Sequence, residues 1–428
     1  MLKLLRINLI LFSFLVAISY RYTPVKKFYY VFIVFLLFIL ILHLSKNRIS
    51  IKNFTNYFMF MVIVAIIYTV INSKYNLRDI YKYYIIMYAT IFYLYYALDK
   101  YGFEYAKRLY KQFTIVLNIF SILNLYQVFF KIPIFEKYMV PIGNSYSYNF
   151  HQSNYRTLSA FGHPIIAGLF FAALFFCNLY LIKNSLKKYI LEFIVLINIY
   201  STMSRSVWIA FLIGLIFYIL INIRKIFSNF KDTRFTYRKL FLIYLSIIFI
   251  VVVAIYIICN SNIISNSIMS RFGDSLSSNS TDPSNLQRTG TINLVMNYML
   301  SSNIYHLIFG YGFDTMISFM LAHPLYIIDF GSTDNTYLAI FYQYGLLGII
   351  AYIVLFIKIC IKFFKYHKKS WIIELSFINL VVINIIIFFF EFPEWQTVSI
   401  FLMFILCCLT FPCKNYNNKN VKINKKLS

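Results

Sequence analysis

The sequence predicts an all-α membrane protein that crosses the bilayer many times. Hydrophobic residues make up 61% of the 428 positions and charged residues 13%, whereas soluble domains average roughly 45–50% and 25%. The mean hydropathy is +0.71. The apolar runs are continuous and long enough for helices that span a bilayer. They lack the alternation of polar and apolar residues that barrel strands show. Helices are expected because lipid cannot satisfy unpaired backbone groups.

We count about twelve such runs as transmembrane helices. In chain order they cover residues 7–20, 28–44, 54–72, 80–98, 113–130, 161–182, 189–203, 206–222, 240–259, 335–360, 371–390 and 396–412. Lys3 and Arg6 precede the first run, as in a signal peptide, but no small-residue cleavage site follows. We therefore predict a retained first helix and a single integral membrane domain over residues 1–428.

Basic clusters set the predicted orientation. With the N-terminus inside, the cytoplasmic loops carry the clusters at 46–52, 100–111, 183–188, 224–239 and 362–369. This pattern follows the positive-inside rule, and only the first outer loop, with Arg21, Lys26 and Lys27, goes against it. Both termini are then cytoplasmic, including a basic tail at 413–428. The net charge of +26 is therefore better explained by topology and anionic lipid than by nucleic acid.

Two segments between the predicted spans are too long for turns. The first, residues 131–160, is rich in Tyr, Asn and Ser, and the second, residues 260–334, resembles an ordinary protein surface. The second lies between the ninth and tenth helices, and the predicted orientation places both outside the membrane. A large polar segment on one side of a membrane protein favours chemistry or recognition there.

Arg205 is a candidate site residue because it lies between two apolar spans with almost no loop between them. The position predicts a cation at or just below the outer surface, between paired helices. A charge buried there costs several kcal/mol unless it has a partner, which favours a functional role. The alternative is an arginine that snorkels to lipid phosphates.

Arg288 and Asp334 are the candidates in the long loop. Arg288 precedes an apolar stretch, and we predict a helix from about Thr289, so that the guanidinium and free N–H groups bind phosphate oxygens together. A plain surface arginine is the alternative. Asp334 precedes a span that begins at Asn335, and we predict that it caps that helix. A carboxylate there is also suited to take a proton from a sugar hydroxyl.

Other polar residues near the predicted outer face carry weaker signals. Gly312 ends a Gly-Tyr-Gly segment, for which a tight turn is the default. His163 lies before a proline at a helix start, where a structural role is more common than a ligand role. Glu391 and Glu394 lie in a short turn that either joins the site or is simply solvated.

The acidic, histidine and cysteine residues predict no metal site. The six histidines and fourteen acids form no metal-binding spacing. The six cysteines lie in or beside apolar spans and indicate neither a disulfide framework nor zinc. We predict no metal and no cofactor.

Several short motifs together resemble the O-antigen ligase and O-antigen polymerase superfamily, which includes capsular polysaccharide polymerases. In order they are Arg156 with Phe161–Gly168, then Ser204–Trp208, Arg288–Gly290, Ile308–Gly312, Asp334–Leu338 and Tyr344–Gly348. Each motif is weak alone, and their order and spacing carry the resemblance over residues 155–348.

The resemblance implies a GT-C-like glycosyltransferase fold in the bacterial plasma (inner) membrane and a metal-independent reaction. A glycan on undecaprenyl pyrophosphate is passed to an acceptor hydroxyl with inversion, and Arg205 and Arg288 hold the pyrophosphate. The predicted catalytic residues are Asp334, Arg288 and Arg205, and the predicted substrate-binding residues are Arg156, Asn335, Gly312 and His163. Membrane lipid and lipid-linked donor and acceptor are the expected partners, with a flippase and a chain-length regulator as further candidates.

Three functions follow from these patterns. Ligases of the family commonly have His-Asn where this chain has Asp334-Asn335, which favours a polymerase of repeat units. A ligase that transfers finished glycan to lipid, protein or cell wall is the alternative. A lipid-oligosaccharide flippase is the third, although such transporters usually show internal repeats and charged or broken helices at the midplane.

Overall fold

The described part of the chain is built from helices. The computed structural model describes residues 9–19, 90–132, 155–231, 283–312, 315–327, 330–391 and 395–411. Its helices are α1 (Leu9–Ser19), α2 (Phe103–Phe130), α3 (Pro164–Leu181), α4 (Ser185–Ser201), α5 (Arg205–Lys231), α6 (Pro283–Ser301), α7 (Ile304–Phe309), α8 (Thr315–Ala322), α9 (Thr336–Tyr366), α10 (Trp371–Phe388) and α11 (Gln396–Thr410). Residues 90–101 are also helical, and no strand occurs in these ranges.

The helices confirm an integral membrane protein of the helical class. Within the described ranges, α2, α3, α5, α9 and α10 are long and apolar enough to cross a bilayer, and α1 and α11 are shorter apolar helices. The observed helices begin close to most of the predicted spans. The predicted spans at 28–44, 54–72 and 240–259 lie outside the described residues.

Phenylalanine rings fill the centre of the bundle. Phe14 of α1 lies 4.9 Å from Phe113 of α2 and 5.2 Å from Phe170 of α3, measured between ring centroids. Phe113 also packs edge-on to Phe401 of α11 at 5.7 Å. These rings are almost fully buried, so large apolar surfaces of four helices share one core.

Buried amides join α2 to its neighbours. Asn118 donates to Asn178 of α3 at 2.9 Å, and Asn124 donates to Asn198 of α4 at 2.9 Å. Near the end of α2, Gln127 Oε1 accepts the backbone N–H of Ser159 at 2.9 Å. Polar side chains facing lipid would lack partners, so these bonds determine which side of α2 faces the protein.

Three helices in the described part of the long polar segment, α6, α7 and α8, pack on the first half of α9. A second apolar cluster contains Val295 and Met299 of α6, Phe319 of α8 and Tyr342 of α9. The expectation that the first of these helices begins near Thr289 is wrong, because α6 already begins at Pro283. Proline favours the first helical position, since its missing N–H would have no partner there.

A break in α9 allows further hydrogen bonds between α9 and the long polar segment. Gly345 has φ 64°, outside the helical region, so the carbonyls one turn before it lose their usual partners. Tyr311 donates its N–H to the carbonyl of Tyr342 at 2.9 Å, and Gly312 donates to that of Gln343 at 3.0 Å. We call this pairing of residues 310–312 with 342–345 the glycine clasp.

Candidate functional site

Several helix ends meet at one end of the bundle. The beginnings of α3 and α5 lie side by side, since a Cβ on Gly168 would be 2.7 Å from a methyl group of Val207. Just before α3, Thr157 bonds through both its N–H and its hydroxyl to Ser201 at the end of α4. We call this end of the bundle the site end.

The turn between α10 and α11 adds the beginning of α9 to the site end. The imidazole of His163 lies 4.8 Å from the ring of Phe390 and 5.4 Å from that of Trp395, measured between centroids. Thr336, the first residue of α9, donates its hydroxyl to the carbonyl of Phe390 at 2.8 Å. One turn therefore contacts the starts of both α3 and α9.

Arg288 and Asp334 form an ion pair at the site end. Arg288 Nε lies 3.5 Å from Asp334 Oδ2, and the two side chains keep 27% and 19% of their surface exposed. The separation exceeds a usual charge-assisted hydrogen bond, and the Nε atom has no hydrogen-bond partner among the described residues. The Nε atom is buried, so the charge of Asp334 is what holds this part of the guanidinium in place.

The helix beginning beside this pair is capped differently from the prediction. Asn335, and not Asp334, is the cap of α9, because its Oδ1 accepts the N–H groups of Tyr337 and Leu338 at 3.0 and 3.2 Å. Asp334 lies one position earlier with φ 51°, in the left-handed region that aspartate tolerates better than most residues. Its carboxylate is therefore free of the capping role and faces Arg288.

Burial raises the pKa of the Asp334 carboxyl above its ordinary value of 3.8, and the positive charge of Arg288 offsets part of that effect. Desolvation disfavours the charged form of an acid, whereas a nearby cation favours it. A raised pKa makes a carboxylate a stronger proton acceptor, which brings it closer to what a general base needs near neutral pH.

Glu391 holds the backbone that carries Asp334. Its Oε2 accepts the hydroxyl of Ser332 at 3.1 Å, and from Thr333 it accepts the backbone N–H at 2.7 Å and the hydroxyl at 2.8 Å. Ser332 Oγ in turn accepts the N–H of Asp334 at 3.1 Å. Of the two readings of this turn, the contacts favour the one in which Glu391 joins the site. Glu394 lies outside the described residues.

Arg156 and Arg205 lie at the same end, beside the α4–α5 turn. Arg156 Nε donates to the carbonyl of Thr202 at 3.0 Å, three residues before Arg205, which is the first residue of α5. Both arginines are half-buried. The structure thus forms one cluster around Arg288, Asp334 and Glu391, and another from these two arginines.

The remaining candidates make local contacts in the structure. His163 caps α3, since its Nδ1 accepts the N–H of Ile165 at 3.1 Å. Gly312 is part of the glycine clasp, with φ 101°. No sequence pattern singles out Gln287, whose Oε1 accepts two backbone N–H groups at 3.1 Å across about 40 residues of chain. Among the described residues, acids, histidines and cysteines form no group of three suited to a metal ion.

The fold and this geometry define the class of the protein. It is a helical integral membrane protein in which helix starts and polar loops bring arginines and carboxylates together at one end of the bundle. Arginine is well suited to phosphate and carboxylate groups. An arginine–carboxylate site beside apolar helices fits an amphipathic, anionic substrate better than a neutral one.

Residues 190–353 match the family model described as O-Antigen ligase. This match confirms the resemblance to the O-antigen ligase and polymerase superfamily. The matched range includes Arg205, Arg288 and Asp334, whereas Arg156 and Glu391 lie on either side of it. No curated protein and no solved structure was found that matches the chain at a significant level.

Proposed function

We propose that the protein is a polymerase that joins lipid-pyrophosphate-linked oligosaccharide repeat units into a surface polysaccharide, such as an O-antigen or a capsule. The observation that carries the proposal is the ion pair of Arg288 with Asp334, inside the matched range. In the proposal the protein lies in the bacterial plasma membrane, and both termini are cytoplasmic. It has about twelve transmembrane helices in a GT-C-like arrangement. The proposed reaction needs no metal.

The proposed reaction is one displacement at an anomeric carbon. The acceptor hydroxyl of one repeat unit attacks the growing chain, the bond from the anomeric carbon to the pyrophosphate oxygen breaks, and the configuration inverts. Arg288 and Arg205 stabilise the charge on the departing pyrophosphate, as fixed cations do at a developing anion. Asp334 takes or orients the acceptor proton, and its raised pKa supports this role.

The other predicted site residues are assigned supporting roles. Arg156 lines the donor path beside Arg205, while Asn335, Gly312 and His163 shape the surface that the substrate contacts. Asn335 and His163 already hold backbone at the site end as helix caps, and Gly312 holds backbone in the glycine clasp. Each role is part of the proposal.

The second candidate is a ligase that transfers finished glycan to lipid, protein or cell wall; the matching family model carries the description O-Antigen ligase, and the match is compatible with either activity. The glycan made by a deletion strain distinguishes the two. The polymerase proposal expects displayed single repeat units without long chains, whereas unattached long chains would show a ligase. Purified protein should also extend lipid-linked repeat units in detergent. If it moves them across vesicle membranes without extending them, it is a flippase.

Glu391→Ala should slow transfer by about 10–100-fold without unfolding the protein. The change removes three hydrogen bonds from residues 332–333, and displacement of a reacting group by about 1 Å can cost that much. Initial rates of polymer formation by the purified variant measure the effect, with kcat expected to fall more than KM rises.

Glu391→Gln should recover part of the rate, because its amide oxygen still accepts hydrogen bonds. Glu104→Ala is the matched control, since Glu104 is an exposed acid in the first turn of α2, away from the site end. Equal rates for Glu391→Ala and Glu104→Ala would contradict a positioning role for Glu391.

A further inference from the structure

Tyr326 is an exposed aromatic residue whose backbone is held firmly on α6. The side chain keeps 58% of its surface exposed. Its backbone N–H and that of Ile327 each donate to Oε1 of Gln287 at 3.1 Å. Gln287 is 1% exposed and directly precedes Arg288, so a buried side chain fixes this loop to the helix that carries the ion pair.

Gly290 makes room for the ring. A Cβ there would lie 3.2 Å from Cε2 of Tyr326 and 3.3 Å from Cδ1 of Leu325. Leu325 packs against the second apolar cluster, whereas Tyr326 stays exposed. A helix with glycine in its interior is less stable than one with alanine. The close approach of the Tyr326 ring explains why glycine occupies position 290.

Tyr326 differs from the other exposed tyrosines of the same segment. The ring of Tyr298 packs against Phe319 at 4.8 Å, and the ring of Tyr305 packs against Phe309 at 5.0 Å. In the ranges that the structure describes, the ring of Tyr326 makes no contact with another ring. It is therefore available to a ligand on the outside of the segment.

We propose that Tyr326 is a stacking platform for a sugar ring of the lipid-linked glycan. The inference rests on the proposed function, because it assumes a glycan substrate. Aromatic rings carry negative charge on their faces, and a pyranose presents C–H hydrogens that such a face attracts. An exposed aromatic residue with a fixed backbone loses little conformational entropy when it binds.

The helix geometry separates the ring from the ion pair. Gly290 and Arg288 are two residues apart on α6, so their side-chain directions differ by about 200° around the helix. The ring and the guanidinium thus lie on different sides of the helix. Tyr326 contacts a sugar beyond the one attached to the diphosphate, and it contributes to glycan recognition without touching the reacting atoms.

The test compares binding of two probes to the full-length protein in detergent. One probe is the lipid-linked repeat unit extracted from cells that lack this chain, and the other is undecaprenyl diphosphate without sugar. Tyr326→Ala should raise the Kd for the first about tenfold and leave the Kd for the second within about twofold. Arg288→Ala, which tests the proposed function, should weaken both.

Matched variants separate stacking from packing. Tyr326→Phe and Tyr326→Trp should bind nearly normally, whereas Tyr326→Leu, an apolar side chain without an aromatic face, should resemble Tyr326→Ala. Gly290→Ala should weaken glycan binding several-fold, because its Cβ displaces the ring. Tyr305→Ala is the control at another exposed tyrosine.

An unchanged Kd for the repeat unit in Tyr326→Leu would overturn the proposal, and so would equal weakening for both probes, which would indicate a structural or interfacial role. If Arg288→Ala binds both probes normally while Tyr326→Ala still loses glycan affinity, the assignment of the arginine fails and the platform stands. If the unmodified protein binds neither probe, the proposed function fails and the platform fails with it.

Discussion

Arg288→Ala is expected to reduce polymer formation by about 10²–10³-fold or more, the usual consequence of removing a group that stabilises transition-state charge. The change removes the cation beside the proposed leaving group and leaves the partly buried carboxylate of Asp334 without its partner. Initial rates with lipid-linked repeat units, measured on purified protein, give the effect directly. In cells, single repeat units should still be displayed.

Arg288→Lys should retain part of the rate, because it keeps the charge and loses the planar fork of donors. The control is Arg108→Ala, at an exposed arginine near the start of α2. The pH profile provides a further check. Since the charge of Arg288 lowers the pKa of Asp334, the acid limb of the residual activity in Arg288→Gln should move to higher pH. Normal-length polymer in Arg288→Ala would overturn the assignment.

Gly310→Ala and Gly345→Ala are expected to destabilise the protein by about 3 kcal/mol or more each, the range of severe steric substitutions. A Cβ on Gly310 would lie 2.4 Å from the carbonyl of Gln343, and one on Gly345 would lie 2.3 Å from the carbonyl oxygen of Ile308. Both clashes are with backbone, which cannot rotate away as a side chain can. Thermal unfolding in detergent measures the loss.

Gly102→Ala isolates the conformational part of this effect. Gly102 has φ 64°, the same as Gly345, but a Cβ there would meet no atom within 4 Å. Its substitution should therefore cost only about 1–3 kcal/mol, for a backbone conformation (φ 64°, ψ −160°) that is almost confined to glycine. Equal losses in Gly102→Ala and Gly345→Ala would show that the close contact in the glycine clasp contributes little.

The sequence predicted the helices well where hydropathy alone decides them. The spans expected at 371–390 and 396–412 are observed as Trp371–Phe388 and Gln396–Thr410. The span expected from residue 113 begins instead at Phe103, because lysine, arginine, alanine and glutamate are good helix formers that a hydropathy pattern counts as loop. The observed helix therefore extends beyond the predicted span at its charged end.

The site was only partly predictable. Arg288 and Asp334 belong to separate motifs in the sequence, and their contact depends on how α6 packs against α9, which no local pattern shows. The sequence predicts the cap one residue early because Asp and Asn are similarly favoured at that position; the hydrogen bonds of Asn335 and the backbone angle of Asp334 separate the two in the structure. The bonds of Glu391 to residues 332–333 join positions almost 60 apart in the chain, so the sequence offered two readings of that turn.

The loop that carries Asp334 is synthesised well before Glu391, the residue that holds it. Ser332 leaves the ribosome 59 residues before its partner Glu391, which at usual synthesis rates is roughly 3–12 s. During that interval the loop that carries Asp334 lacks its hydrogen bonds to Glu391. The nascent chain can insert α9 early, but the loop that carries Asp334 reaches the observed geometry only when the last helices enter the membrane.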